Sequence, residues 1–503
     1  MKLRNGLLIL AASAAITLNA LGEELVILHT NDTHSQLDPT DKGLGGITRR
    51  KAIVDSVRSA NPNVLLADAG DAVQGTLFFT LYGGRAEMEA MNLLGYDLAI
   101  LGNHDFDNGV DSLARNVGLS RARWISTNYD FSERADLDSL FAPYQIFDFG
   151  GKKVGFIGLN LDPKGMIAEG NYDGVRYLDV VDAANSTAWV LKNLEGVDVV
   201  VALTHLGYAG MPNPSDEDIA RSSKNIDVIL GGHSHTTIVP GSGREWVANA
   251  EGKPVLVTQN GKSGTKITEV TINLDSLGTA LPRYSQLAVI ADKNLPADPA
   301  VEALLAPYRK GVDDLMGKKI GRTAKALDNN GAALLNFVAD FCRDRGAQIA
   351  GGKVDLALMN KGSLRRSLPK GDITQGEIIS MQPFTNRVLV LEIKGKDLLE
   401  AFDVMATRGG DGVSSEAEAI FDPSTKRCES VTIGGKPVDP EATYRVATID
   451  YLANGGDYMT PLTRGKVIAT SPNIVYDDLI AYIKALKGKA INPSDKQRMK
   501  AAR

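Results

Sequence analysis

Cysteine is almost missing from this sequence: Cys342 and Cys428 are the two in 503 residues. That number excludes an all-cysteine zinc site and a disulfide-built scaffold. The two thiols could pair in an oxidising compartment, but sequence alone does not bring them together. Long basic runs are missing as well. With 55 Lys+Arg against 61 Asp+Glu, a net charge of −6, the chain has no electrostatic footprint for a nucleic-acid polymer. A few local arginines can still hold one small phosphate compound. No G-x-S-x-G elbow or cysteine–histidine pairing suggests a covalent nucleophile. The stretch "NGKSGTK" at 260–266 has Leu256 where a phosphate-binding loop needs glycine, so it reads as a turn between strands.

One apolar run stands out, at the start. Lys2 and Arg4 precede the stretch Leu7 to Leu18, and small residues at Ala20 and Gly22 lead into Glu23. This is the pattern of a cleaved export signal over 1–22, and the stretch is too short and too polar for a membrane anchor. Its removal takes away two positive charges and moves the net charge from −6 to −8. No later run is long enough to span a bilayer, so an exported chain, periplasmic or secreted and without a membrane span, is expected.

A chain this long exceeds the roughly 250–300 residues at which single cores stop growing, so two domains are expected. Over residues 24–275 one design repeats: a short apolar run, then a polar turn, then a helical or irregular connection. The runs are "ELVILHTNDTH", "NVLLADAGD", "LAILGNHDFD", "KVGFIGLN", "VDVVVALTHLG" and "IDVILGGHSH". Continuous apolar runs predict strands buried on both faces, in an α/β layered domain. Of only six histidines, five end such runs: His34, His104, His205, His233 and His235. His29, inside the first run, reads as a satisfied core residue. Asp32, Asp71, Asn103 and Asp107 lie at the same ends. Sites in such sheets form beyond the carboxyl ends of the strands. Singly, each cluster could cap a turn. Together, imidazoles, carboxylates and a carboxamide make a donor set for divalent metals.

At these residues the sequence resembles the calcineurin-like metallophosphoesterases. "NDTH" at 31–34, "GDAVQG" at 70–75, "GNHDFD" at 102–107, "LTHLG" at 203–207 and "GGHSH" at 231–235 match that family's five blocks in order. The longer pattern is similar to the secreted 5′-nucleotidase branch, which includes UDP-sugar hydrolases. The resemblance implies a layered β-sandwich flanked by helices, followed by a smaller α/β substrate-binding domain. It also implies two divalent ions, Zn, Mn, Co or Mg. One would be held by Asp32, His34, Asp71 and His235, the other by Asp71, Asn103, His205 and His233. His235 stands where some members of the branch have an amide. His104 and Asp107 would form a catalytic pair facing the phosphate, with Asp105 structural.

Beyond residue 290 the strand-end histidines stop. Residues 297–317, with Val301, Leu304, Leu305 and Tyr308 at helical spacing, read as a connecting helix between domains at 23–296 and 318–490. In the second domain, alone, Phe384 and Tyr451 would be core aromatics. The resemblance instead implies that Phe384 and Tyr451 sandwich a nucleobase, Asp457 accepts sugar hydroxyls, and Asn360 and Arg365 complete the substrate site. Two departures bear on specificity. "NKGSLR" has Lys361 and Ser363 in place of glycines, and Tyr458 follows Asp457 where the branch has glycine. A more cationic loop would favour a different phosphate position or a larger polyphosphate. Arg343 and Arg345 are further candidates for phosphate support.

The function implied is removal of the 5′-phosphate from nucleotides by a metal-activated water. The rivals are a 2′,3′-cyclic phosphodiesterase with 3′-nucleotidase activity, a UDP-sugar or dinucleotide pyrophosphatase, and a non-catalytic nucleotide-binding surface protein.

Overall fold

Strand Glu24–Thr30 shows why its apolar run is continuous. Leu25 and Ile27 enter one core while Val26 and Leu28 enter another, because successive strand side chains point to opposite faces. Val199–His205 does the same, with Val199, Val201 and Leu203 on one side and Val200 and Ala202 on the other. In the computed structural model, which describes residues 16–18, 24–40, 42–276, 281–289 and 296–502, these strands lie in two seven-stranded sheets. The sheets share one buried core.

The first sheet runs in the order 283–288, 266–273, 24–30, 64–68, 98–99, 123–125 and 141–142. The five strands from 24–30 onward are mutually parallel, and 266–273 returns antiparallel to 24–30. In the second sheet, 152–160, 199–205, 228–231 and 254–258 are parallel neighbours. Helices Ile47–Ala60, Arg85–Leu94 and Val110–Leu119 cover the outer face of the first sheet. Val180–Asn193 and Asp216–Ser222 cover that of the second. The result is a layered α/β sandwich whose parallel strands deliver their carboxyl ends to one edge.

The expected leader lies outside the described residues except for Ile16–Leu18, a strand beside Tyr144–Phe149. Among the described residues no helix is long and apolar enough to cross a membrane.

Helix Pro299–Met316 starts behind an Asp298 cap, whose carboxylate accepts from the amides of Ala300 and Val301 at 2.9 and 3.1 Å. Its Val301 and Leu305 belong to the first domain's core, whereas Leu315 and Met316 pack against the second's. The second core surrounds a five-stranded sheet in the order 412–413, 356–359, 443–449, 388–394 and 466–470. A four-stranded sheet beside it takes its edge strand, Met499–Ala501, from beyond residue 490. Both cysteines are free thiols, Cys342 in the core and Cys428 half-buried. "NGKSGTK" forms the turn leading into strand Lys266–Asn273. His29 is fully buried, with Nδ1 3.4 Å from Asn260 Nδ2 and burial pulling its pKa down to about 3. It is a neutral core residue as expected, but only half satisfied, since its Nε2 has no partner.

Candidate active site

The loops at the strand ends are strained. Of twelve non-glycine residues with positive φ among the described residues, seven lie at 32–35, 71–74 and 233–235. They include Asp32, His34, Asp71, His233 and His235, five of the seven candidate ligands. Left-handed backbone costs an L-residue about 1–2 kcal/mol, and such strain persists only where the surroundings over-determine it. Here the loops are bonded to one another. Asp32 and His34 donate their amides to the carbonyls of Gly70 and Asp71, each at 3.0 Å, and the His104 amide donates to Asp71 Oδ1 at 2.8 Å. Gly102 must be glycine, because a Cβ there would lie 2.2 Å from Asp71 Oδ1. Asp105 is buried, and its Oδ2 accepts from the amides of Gly102 and Asp71 at 2.7 and 3.3 Å.

Within this frame the candidate ligands converge. His34 Nε2 lies 3.8 Å from both Asp32 Oδ1 and Asp71 Oδ2. His235 Nε2 is 3.4 Å from Asp32 Oδ1 and 3.0 Å from His34 Nε2. His205 Nε2 is 3.2 Å from Asp71 Oδ2, and His233 Nδ1 is 2.9 Å from Asn103 Oδ1. Asp32, His34 and His235, and separately Asp32, Asp71 and His205, present ligand atoms within 4.8 Å of one another. Both carboxylates thus lie between the histidines.

The donor set fits divalent metal ions. His205 and His34 direct Nδ1 at the carbonyls of Ala69 and Gln74, at 2.7 and 3.1 Å, which leaves Nε2 of each as the ligand atom. Nε2 of His205 is buried with no hydrogen-bond partner, and Nε2 of His34 faces another imidazole nitrogen. Such atoms await a positive centre. Burial opposes charge on His205, but Asp71 and Asp32 outweigh it and raise its pKa to about 10. Burial also disfavours charge on Asp32, yet its histidine neighbours hold it down at about 2. Asp32, His34, Asp71, His205 and His235 would hold divalent ions here, and the charge of the ions would replace that of the histidine protons beside the carboxylates.

Beside the cluster, His104 Nδ1 lies 3.0 Å from Asp107 Oδ2 in a short 3₁₀ turn. Burial disfavours the imidazolium, but Asp107 and Asp71 prevail and raise its pKa. From the second domain Arg365 reaches across, its Nη2 2.6 Å from His104 Nε2. That contact requires a neutral, accepting Nε2, whereas the carboxylates favour the cation. An anion placed between the two groups satisfies both demands. Arg365 also stacks on Phe384, its guanidinium carbon 5.2 Å from the ring centre.

A cavity of about 970 Å³ joins this cluster to the second domain. Asp71, Asn103, His104, Asp107, His233 and His235 line one end, and Asn360, Arg365, Phe384, Tyr451 and Asp457 line the other. Asp32, His34 and His205 stand behind that wall. Asp457 is held in left-handed backbone (φ 53°). Its Oδ2 accepts from Asn360 Nδ2 at 2.7 Å and its Oδ1 from the Tyr451 hydroxyl at 2.9 Å, and Arg408 donates to its carbonyl. Each carboxylate oxygen keeps a free lone pair.

Other expectations are corrected. Lys361 does not make the cavity more cationic, because its Nζ turns away to the Gly409 carbonyl at 3.3 Å. Arg343 is occupied by Asp344 and Glu416, and Arg345 by Asp478 and Ser471, so neither lines the cavity. Sequence reasoning missed the wall formed by residues 162–172, which carries no catalytic pattern. It also missed how Tyr458 meets that wall. Tyr458 donates its amide to the Gly165 carbonyl at 3.4 Å, and its hydroxyl accepts from Asn213 Nδ2 at 3.2 Å. The departure from glycine at 458 was the available signal.

Known proteins show the same two-part arrangement. The calcineurin-like phosphoesterase family matches residues 25–237 and the 5′-nucleotidase C-terminal domain matches 314–464. A trifunctional nucleotide phosphoesterase of Bacillus subtilis is 28% identical over 531 residues, spanning 95% of this chain, although the match covers only 35% of that longer protein. Human 5′-nucleotidase is 27% identical, with 90% of this chain and 86% of that protein covered. The crystal structure of a 5′-nucleotidase precursor from Thermus thermophilus superposes with a TM-score of 0.84 at 32% identity, over 95% of this chain and 99% of the other. With both domains matched in order and the strand-end cluster in place, the chain belongs to the 5′-nucleotidase family of calcineurin-like metallophosphoesterases.

Proposed function

We propose that the protein is an exported phosphohydrolase that removes the 5′-phosphate from nucleotides. One observation carries this reading: a single cavity connects the metal-ligand cluster to the Asn360, Phe384, Tyr451 and Asp457 group. Asp32, His34, Asp71 and His235 would hold one divalent ion, and Asp71, Asn103, His205 and His233 would hold a second. When bound, the ions supply Lewis-acid charge at the phosphoryl group and a water of lowered pKa. The domain division at 23–296, 297–317 and 318–490 belongs to the same proposal.

The chain's own residues do the rest. Asp107 keeps the proton on His104 Nδ1 and fixes the ring, so that Nε2 is the atom presented to substrate. A phosphate dianion arriving between His104 and Arg365 accepts from both. His104 then carries a proton at Nε2 for the departing ribose oxygen, while Arg365 takes the phosphoryl oxygens with its planar fork. Phe384 and Tyr451 receive the base, with stacking worth ~1–3 kcal/mol per base. Asp457 offers its remaining lone pairs to ribose hydroxyls.

The test is hydrolysis of 5′-AMP, 3′-AMP, 2′,3′-cyclic AMP and UDP-glucose by the purified mature chain, with Mn²⁺ or Zn²⁺ and a chelated control. It is read by chromatography of nucleosides and phosphomonoesters as well as by phosphate release, because the last two substrates yield monoesters first. Preference for 5′-AMP, abolished by chelation, is expected. Preference for the cyclic or 3′ substrates overturns the assignment of Phe384, Tyr451 and Asp457 while keeping the hydrolytic centre.

A further inference from the structure

Among the described residues, three in the cavity wall carry buried polar side-chain atoms with no hydrogen-bond partner. They are Asn360 through Oδ1, Arg365 through Nε, and Gln74 through both Oε1 and Nε2. Asn360 and Arg365 already belong to the substrate site. Gln74 does not, and its carboxamide is the most completely unmatched of the three. Buried amides are nearly always paired, because an unmatched donor or acceptor has lost its water and gained nothing. Gln382 is unmatched too, but it does not line the cavity.

Neither space nor backbone geometry accounts for glutamine here. Gln74 is 1% exposed and has φ 66°, a conformation that glycine or asparagine adopts at lower cost. A leucine or methionine would fill the same volume without stranding polar atoms. The main chain has a duty of its own, since the Gln74 carbonyl lies 3.1 Å from His34 Nδ1. That duty needs no particular side chain. What remains is a neutral donor and acceptor buried just behind the cavity surface, in a residue that lines it together with Asp71, His104 and Asn103, with a partner that the protein itself does not provide.

We infer that the Gln74 carboxamide binds the phosphoryl group of substrate and product: Nε2–H donates to a phosphoryl oxygen, and Oε1 accepts from a protonated oxygen beside it. The inference rests on the phosphohydrolase reading. A neutral amide suits this place, because a carboxylate would repel the dianion.

The experiment uses the full mature chain loaded with Mn²⁺ and compares wild type with Gln74→Leu and Gln74→Ala. Four quantities are measured: metal content, thermal midpoint, affinity for inorganic phosphate by calorimetry, and kcat and KM for 5′-AMP. Metal content should not change, because the His34 partner is a backbone carbonyl. The midpoint of Gln74→Leu should equal or exceed that of wild type. Phosphate affinity should fall about tenfold to a hundredfold, the range for one lost hydrogen bond to a charged group, and kcat/KM should fall at least as far. Wild-type phosphate affinity and kcat/KM in Gln74→Leu would overturn the inference. So would lost metal with unchanged phosphate affinity in the sites that remain loaded, which would make Gln74 a support for His34. Phosphate binding requires no nucleotide. A wild type that binds phosphate through Gln74 yet leaves 5′-AMP intact therefore sinks the nucleotidase reading alone.

Discussion

Glu87 offers a sharp test of the electrostatics beneath the site. It lies in the first turn of helix Arg85–Leu94, 2% exposed, with both carboxylate oxygens buried and unpartnered. Burial raises its pKa from 4.5 to about 7. Between these values the folded chain holds a proton that the unfolded chain has released, so stability falls as pH rises through this window and levels off above about 7. At ~1.4 kcal/mol per pH unit the loss is about 3 kcal/mol. Glu87→Gln has nearly the same shape and no charge to bury. The stability of the variant relative to wild type should therefore climb by about 3 kcal/mol between pH 4 and pH 8.5. In a domain of roughly 250 residues that is a gain of about 6–12 °C in midpoint. Calorimetry of both proteins across this range gives the difference directly, and metal loss at low pH acts on both alike. A difference that stays flat with pH would refute the reasoning, for it would mean that Glu87 finds water or a cation in solution.

Chelation should abolish hydrolysis and lower the thermal midpoint of the first domain. Without metal, the buried Nε2 of His205 and the facing nitrogens of His34 and His235 lose their partner; restored midpoint and activity on adding Mn²⁺ check this. His104→Ala should reduce kcat by about 10²–10⁴, the range for a lost general acid, with metal content by elemental analysis unchanged. Phe384→Ala should raise KM for 5′-AMP about tenfold in steady-state kinetics, as expected for one stacking face worth ~1–3 kcal/mol. Tyr458→Gly loses the Asn213 hydrogen bond, worth ~0.5–1.5 kcal/mol, but relieves left-handed strain of ~1–2 kcal/mol. Its midpoint should stay near wild type while the ratio of kcat/KM for 5′-AMP and UDP-glucose shifts.

The strand-end residues were legible because two signals coincide in them. Continuous apolar runs such as Val199–His205 announce strands buried on both faces, and scarce histidines at their ends have little structural use there. The parallel sandwich then brings those ends together without further information. Gln74 shows the opposite case. Gln74 lies in the "GDAVQG" block, but the block assigns a role only to Asp71, and the glutamine is conspicuous only once its carboxamide is seen to lack a partner. Lys361 misled for a related reason: the direction of its ammonium is set by Gly409, 48 residues away. The wall at 162–172 was equally hidden, since its place in the cavity comes from meeting Tyr458, nearly 300 residues later. Local periodicity carries no record of such encounters.

The left-handed backbone of the candidate ligands makes the site depend on the scaffold around it. Five such residues, at about 1–2 kcal/mol each, cost together about as much as the 5–15 kcal/mol net stability of a typical domain. Glycine at any of these positions would relieve the strain and delete the ligand. The loops therefore depend on what surrounds them: the doubly buried strands behind, the hydrogen bonds from the amides of Asp32 and His34 to the carbonyls of Gly70 and Asp71, and the Asp105 carboxyl that ties Gly102 to Asp71. Asp105 is protonated more readily than an ordinary carboxyl, its pKa pushed to about 8 by burial and by Asp71. It accepts both amides without adding a full charge beside the cluster. Replacing Asp105 with alanine would thus release the strained 71–74 loop from the 102–103 turn, and would disturb Asp71 and Asn103 without touching either candidate ligand.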